Sequence, residues 1–402
     1  MCSGTALSEF LDLGYTPPAD GFLSREKKLE TEIYFPLSVL LCRSCGLAQL
    51  SHVVSPEILY CNDYPYDCSV TSSGRAHWDA FAENAVRQLN LSPKTLVVDI
   101  GSNVGVLLRS FKTRGMRVLG IDPAPKIGNI ARNQEIPTET AFFSVETARD
   151  IVASHGKAEV ITATNVFAHI HDLKNFMGGV DLLLNQGGVF IIEFPYFLDL
   201  VRTLAYDTIY HEHLSYISVK PLHKFLTSIG FTIHQIEEQS IHGGSLRITI
   251  CRTSERAESD LINEYISKEE IFGLFDLSTL SAFAQRVSKN RNELSWLLQS
   301  LNHSGKRIAA ASAPAKGMTL LNYCHIGPEI IEFISEKTPL KIGRLTPGMH
   351  ILVVSDEELI RSQPDYCLIL AWNFKEEIMK NLSEFTKHGG RFIIPIPTPT
   401  II

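Results

Sequence analysis

Apolar and polar positions alternate in three textures along the chain. Residues 1 to about 70 show few helical repeats. From about 75 to 235, short apolar runs alternate with helical stretches: LVVDI (96–100), RVLGID (117–122), EVITATNV (159–166) and GGVFIIEFP (187–195), each bounded by breakers. That rhythm predicts a parallel sheet covered by helices. From about 255 to 304 the apolar residues fall at three- and four-residue spacing, as at Leu277, Leu280, Phe283 and Val287, and predict helix. A second α/β rhythm follows in KRIAAASA (306–313), HILVVS (350–355), YCLILAW (366–372) and GGRFIIPI (389–396). The expected class is α/β: a small N-terminal lobe, 1–70, a central domain, 71–240, and a second Rossmann-like domain, 241–402.

Composition removes several functions. The 402 residues are 45% hydrophobic and 20% charged, with a net charge of -7. A nucleic acid or an anionic membrane surface needs a basic face, which this balance does not offer. No segment reaches the ~20 apolar residues of a membrane span. The start, MCSGTALSEF, lacks the basic and apolar regions of a signal peptide. A cytoplasmic protein is expected, and paired cysteines there more often bind metal than form disulfides. Five of the eight cysteines lie in the first 70 residues.

The strongest local motif is Val98-Asp99-Ile100-Gly101-Ser102-Asn103-Val104-Gly105. An acid ends the first strand, and glycines at spacing four let the backbone approach a ligand. Asp122 follows Gly101 by 21 residues, ends the second strand, and can accept the ribose hydroxyls of an adenosine cofactor. A pyrophosphate-binding turn carries a third glycine, which is missing here. The acid before the first glycine suits a cationic sulfonium such as S-adenosylmethionine. Candidate cofactor contacts are Asp99, Gly101, Asn103, Gly105, Asp122 and, after the third strand, Asn165.

A second constellation follows the fourth apolar strand, Asp207-Thr208-Ile209-Tyr210-His211-Glu212-His213-Leu214-Ser215-Tyr216. Loops after parallel strands carry ligands. His211-x-His213 lacks a third metal ligand in view, and polar surface residues on a helix are the bland alternative. A sulfonium methyl goes to an electron-rich atom. A sugar carbon becomes one by losing a proton next to a carbonyl, which calls for a base and a donor to the enolate oxygen. Histidine fits the first role, tyrosine or histidine the second. His169, directly after the third strand, is a further candidate.

These residues place the chain by resemblance. LDLGYTPPADGFL, FPLSVLLCRSCGLAQLSHVV, DIGSNVGVLL, DTIYHEHLSYIS, HGGSLRI, SAPAKGMTLLNYC, RLTPGMHILV and LILAWNF resemble, over nearly the whole chain, the bacterial deoxysugar C-methyltransferases typified by the C-3′-methyltransferases. The resemblance implies an N-terminal zinc lobe, a central S-adenosylmethionine domain and a C-terminal domain that helps hold a nucleotide sugar, typically a dTDP-4-keto-deoxysugar. It implies His213 as the base for the C-3 proton, with Tyr210, Glu212 and His169 beside it. It also implies a tyrosine from the N-terminal lobe, Tyr66 by preference, with Tyr64 as a substrate contact. Ser245 and Arg247 of HGGSLR could face substrate or cofactor, although Arg247 suits a structural carboxylate equally. Lys316, Asn322 and Arg344 match family segments and are candidates to reach the pyrophosphate.

The zinc motif departs from the family pattern of two Cys-x-x-Cys pairs. Cys42 and Cys45 form the second pair, but Cys2 matches only the second half of the first. A cysteine preceding Met1 is the expectation; three cysteines with another ligand, or no metal, are the alternatives. Cys61 and Cys68 are read as small buried hydrophobes. Competing functions are a sugar O- or N-methyltransferase and a non-catalytic nucleotide-sugar-binding protein. A monomer or a homodimer is expected.

Overall fold

The computed structural model describes every residue except 62, 63 and 70, and every side chain among them except that of residue 242. Asp63 of the DYPY segment therefore lies outside the described residues. The N-terminal lobe, expected only as a cysteine-bearing region, is built on strands. β1 (Leu7–Thr16), β2 (Phe35–Cys42) and β3 (Ala48–Leu50) form an antiparallel meander.

The central sheet starts with β4 (Leu96–Ile100), β5 (Arg117–Ile121), β6 (Thr138–Glu139), β7 (Ala158–Thr164) and β8 (Leu184–Pro195). All five residues of β4 are buried. Helices cover both faces of a parallel sheet, so its inner strands read as unbroken apolar runs. The chain then sends β9 (Ser215–Tyr216) back to pair with β3, which ties the N-terminal lobe to the central domain. β10 (Phe231–Gln239) and β11 (Ser245–Arg252) return as an antiparallel hairpin, giving the order β10-β11-β8-β7-β4-β5-β6. The boundary expected at 240 thus falls between two strands of one sheet. The hairpin pairs the edge of β11 with β8 and stays with that sheet.

Helices Ile262–Phe272 and Leu277–His303 lead to the second α/β domain. The longer one buries Leu280, Phe283, Val287, Leu294 and Leu298, each contributing about 1.5–3 kcal/mol when fully buried. On the same stripe Asn290 is buried; it accepts from Tyr206 Oη at 2.8 Å and donates to the Pro395 carbonyl at 2.8 Å. One side chain therefore pins the central domain to the C-terminal one. The last sheet contains β12 (Ile308–Ala311), β13 (Ile334–Glu336), β14 (Val353–Ser355), β15 (Tyr366–Ile369), β16 (Arg391–Ile394) and β17 (Thr400–Ile401). Its order is β14-β13-β12-β15-β16-β17, parallel except for β17. No helix among the described residues is long and apolar enough to cross a membrane.

Candidate active site

Two cavities meet between the domains. One, of about 380 Å³, lies over the ends of β4, β5 and β7 and is lined by Asp99, Gly101, Asn103, Asp122 and Asn165. The other, of about 270 Å³, is lined by Tyr210, Glu212, His213 and Lys316, with Asp20 and Lys341 from the flanking lobes. Tyr64, Tyr66, Cys68, Trp78, Asn165 and His169 belong to both walls. Both volumes fall at or near the size of small-molecule sites.

The first cavity is shaped by the turn after β4. Gly101 has φ +68°, and a Cβ there would collide with Val166. Asp122 is held by two backbone donors: Asn103 N–H to Oδ2 and Ala124 N–H to Oδ1, both 2.9 Å. Asp99 accepts from Thr162 Oγ1 at 2.6 Å, yet burial pushes its carboxyl up to about 7. The Asn103 amide is occupied, donating to the Tyr66 carbonyl and accepting from Cys68 N–H, so it fastens the aromatic loop over the cavity. Gly105, φ +78°, caps the following helix, lies against Ile136 and is not a lining residue. Four buried polar atoms on these walls have no partner: Ser102 Oγ, Asn165 Oδ1, His169 Nε2 and Trp78 Nε1. Such atoms cost about 1–3 kcal/mol each unless something satisfies them, and a polar ligand would.

In the second cavity His213 has a fixed proton arrangement. Its Nδ1 lies 2.7 Å from the Thr208 carbonyl, which only accepts, so Nδ1 carries the proton. In the neutral ring Nε2 then holds a lone pair, to which Tyr210 Oη, 2.9 Å away, donates. Burial pushes the Tyr210 phenol well above its ordinary value, which keeps it a donor. His169 stands 5.0 Å from His213, ring centre to ring centre, and burial drives its pKa well below the ordinary value, so it is neutral. Glu212 is pushed well above the carboxylate range by burial and by Asp20, and accepts from Tyr64 Oη at 3.3 Å. Lys341 Nζ closes this group, 3.0 Å from Asp20 and 2.8 Å from the Ala313 carbonyl. Lys316 donates to Asn373 Oδ1 at 3.1 Å, lies 3.6 Å from Asp207 and sits over the Trp372 ring.

The structure brings together His213, Tyr210, Glu212, His169, Tyr64, Tyr66 and Lys316. It does not bring in the other substrate candidates. Arg247 lines neither cavity: its guanidinium forks onto Glu193 Oε2 at 2.9 and 2.7 Å and stacks on Phe81. The β11–β8 register sets Arg247 opposite Glu193, so strand pairing puts the cation on its carboxylate. Ser245 Oγ donates to the Ile241 carbonyl, and the Asn322 amide donates to the Met318 and Pro347 carbonyls. Arg344 lies outside both linings. His211 is buried against Phe35, its pKa lowered to about 4 by burial, and joins no metal group among the described residues. Cys61 is exposed rather than buried, and Cys68 lines both cavities. Sequence reasoning missed Tyr60, Asp20, Lys341 and the Thr208 carbonyl. Asp20, in the PPADGF turn, carried the one usable signal, an acid in a motif already singled out.

In the N-terminal lobe, Cys2, Cys42 and Cys45 gather their sulfurs within 4.8 Å. Ligands on a tetrahedral zinc at Zn–S ≈ 2.3 Å stand about 3.8 Å apart, and the Cys2–Cys42 sulfurs are 3.6 Å apart. The donor set fits zinc with three of its four positions.

Three family models tile the chain: "Putative zinc binding domain" over residues 1–60, "Methyltransferase domain" over 77–236 and "C-methyltransferase C-terminal domain" over 240–397. The C-methyltransferase NovU of Streptomyces niveus is 35% identical over 403 residues, covering 100% of this chain and 96% of that protein. The chain belongs to the C-methyltransferase family. It is a methyltransferase, and its α/β fold with an N-terminal zinc-type lobe is that of the family. A ubiquinone biosynthesis O-methyltransferase of Methylobacterium sp. (strain 4-46) is 30% identical over 95 residues, 23% of this C-methyltransferase and 38% of that protein. Among solved structures, the magnesium protoporphyrin IX methyltransferase ChlM of Synechocystis PCC 6803 with bound SAM is 19% identical. It covers 48% of this chain and 88% of its own, with a TM-score of 0.35.

Proposed function

We propose that this C-methyltransferase takes S-adenosylmethionine in the larger cavity and methylates C-3 of a nucleotide-linked 4-keto-deoxysugar, dTDP-linked by preference, held in the smaller one. The observation that carries the reading is the shared wall: His169 lines both cavities with Nε2 unpartnered, 5.0 Å ring to ring from His213, which with Tyr210 lines the smaller one. Bound S-adenosylmethionine supplies an electrophilic methyl group. Asp122 would hold its ribose. Asp99, a desolvated carboxyl, regains its charge beside a cation such as the cofactor's ammonium.

The chain's own residues supply the proton chemistry. His213 Nε2 takes the C-3 proton, and the Thr208 carbonyl steadies the resulting imidazolium through Nδ1–H. Tyr210, which caps Nε2 in the free enzyme, gives way and donates to the developing oxyanion. Glu212, kept neutral by burial, sits behind Tyr64 without adding a negative charge to an enolate site. Lys316 meets the phosphates from the C-terminal side. Zinc, where bound, would be held by Cys2, Cys42 and Cys45 and would fasten the lobe.

The test is product analysis. Enzyme, S-adenosylmethionine and a dTDP-4-keto-deoxysugar should give a product whose new methyl protons show long-range NMR coupling to C-2, C-3 and C-4 of the sugar, which places the methyl on carbon. A methyl whose carbon and proton shifts place it on oxygen or nitrogen would replace this reading with the O- or N-methyl one.

A further inference from the structure

His169 faces both cavities, and what it can do there depends on which nitrogen carries its proton. The neutral ring has one N–H and one lone pair. Nδ1 lies 3.1 Å from Tyr60 Oη, and Nε2 is buried without a partner. The two rings are nearly parallel, at 8°.

A count of satisfied groups separates the two proton placements. If Tyr60 donates, one group is left over: an Nε2–H facing the cavities. If Tyr60 accepts from Nδ1–H, two are left over, the phenol proton and the Nε2 lone pair, because Tyr60 Oη has no other hydrogen bond among the described residues. Burial holds the phenol well above its ordinary pKa, so it keeps its proton to give. The arrangement mirrors that of His213, where the carbonyl of Thr208 fixes the proton on Nδ1 and leaves a lone pair at Nε2. With His213 in its neutral form, the two rings, 5.0 Å apart, present opposite ends, one accepting and one donating.

We infer that Tyr60 is a positioning residue that locks His169 in the Nε2–H form, making it a hydrogen-bond donor to the oxyanion formed as His213 removes a proton. This rests on the carbon-acid reading above. Tyr60 ends the N-terminal-lobe helix Pro56–Tyr60, so its hydroxyl joins Asp20, Tyr64 and Tyr66 among the groups this lobe brings to the cavities. A donor held in advance toward a developing oxyanion costs no reorganisation when charge appears.

The measurement is long-range ¹H–¹⁵N NMR of the full-length, histidine-labelled enzyme without substrate, with His169 assigned by its absence in His169→Gln. Near neutral pH the wild type should show a protonated Nε2 and an unprotonated Nδ1. A protonated Nδ1, or an imidazolium, overturns the proposal. In Tyr60→Phe the His169 signals should move toward a mixture of tautomers. The variant's kcat should fall about tenfold, the effect of about 1.4 kcal/mol, with cofactor affinity unchanged. An unaltered tautomer in that variant also overturns the assignment. Should Tyr60→Phe fail to fold, the wild-type spectrum still decides. Because the tautomer is read without turnover, an enzyme inactive on every keto sugar would defeat the carbon-acid reading and leave the tautomer result intact.

Discussion

The two α/β sheets of this C-methyltransferase open in the same way and then diverge. After β4, Gly101 N–H bonds the Ile121 carbonyl at 2.7 Å with φ +68°. After β12, Ser312 N–H bonds the Ser335 carbonyl at 2.7 Å with φ +69°. Each second strand hands over to a carboxylate that accepts backbone N–H groups: Asp122 from Asn103 and Ala124, Glu336 from Ala313, Lys337 and Thr338. The loops then differ. In the central domain Gly105 caps a helix starting at Val106, whereas in the C-terminal domain Pro314 precedes one starting at Ala315. Ser312 and Glu336 line both a cavity of about 80 Å³ and the second one of about 270 Å³, whereas the turn after β4 lines the one of about 380 Å³. One shared backbone bond thus opens onto different cavities, and the C-terminal loop brings Lys316 to the one lined by Tyr210 and His213.

The largest expected effect tests what belongs to the central sheet. Arg247→Ala leaves the buried Glu193 with only His77, 2.8 Å from its Oε1, as a charge partner, and unfolding free energy should drop by about 3 kcal/mol, with cofactor affinity unchanged in the folded fraction. Chemical denaturation with binding calorimetry reads both. Normal stability with lost turnover would move Arg247 into the substrate site.

Next comes the pair of carboxylates. Asp122→Ala should weaken S-adenosylhomocysteine binding about 100-fold, the loss of one to two charged hydrogen bonds, while Glu336→Ala leaves that affinity within about twofold and raises the acceptor KM. Equal losses in both would break the contrast between the sheets. Lys316→Met should raise the acceptor KM by about tenfold, one charge-assisted phosphate contact, with cofactor Kd constant. A shift in cofactor Kd instead would place Lys316 at the wrong cavity.

The smallest effect is the pH dependence of stability. The Glu212 pKa is raised on folding, so its contribution is complete below the ordinary carboxylate value and is lost as pH rises toward the folded pKa. Between about pH 5 and about pH 8, Tm should therefore fall less in Glu212→Gln than in the wild type. A steeper fall in the variant would mean that Glu212 is ionised in the fold.

Much of this was legible in the sequence, for physical reasons. Buried parallel strands read as apolar runs, so both main sheets stood out. Asp99, Gly101 and Asp122 follow from strand ends and a glycine turn. Tyr210, Glu212 and His213 lie within four residues, so one local motif displays them together. Contacts set by long-range pairing were not legible. Arg247 looks like a free phosphate ligand until β11 is laid against β8. Tyr60 meets His169 across 109 residues. Asp20 and Lys341 meet across 321 and carry no local pattern linking them. The strand-built N-terminal lobe was hidden because its register is completed by β9, more than 160 residues further on.

The most direct test of the central claim is hydrogen exchange at C-3 of a dTDP-4-keto-deoxysugar in deuterated water, with enzyme and S-adenosylhomocysteine, followed by NMR. Enzyme-dependent exchange that falls by about 10²-fold or more in His213→Asn, with cofactor affinity retained, is the predicted result. No exchange with several such sugars despite verified cofactor binding, or undiminished exchange in His213→Asn, would contradict it.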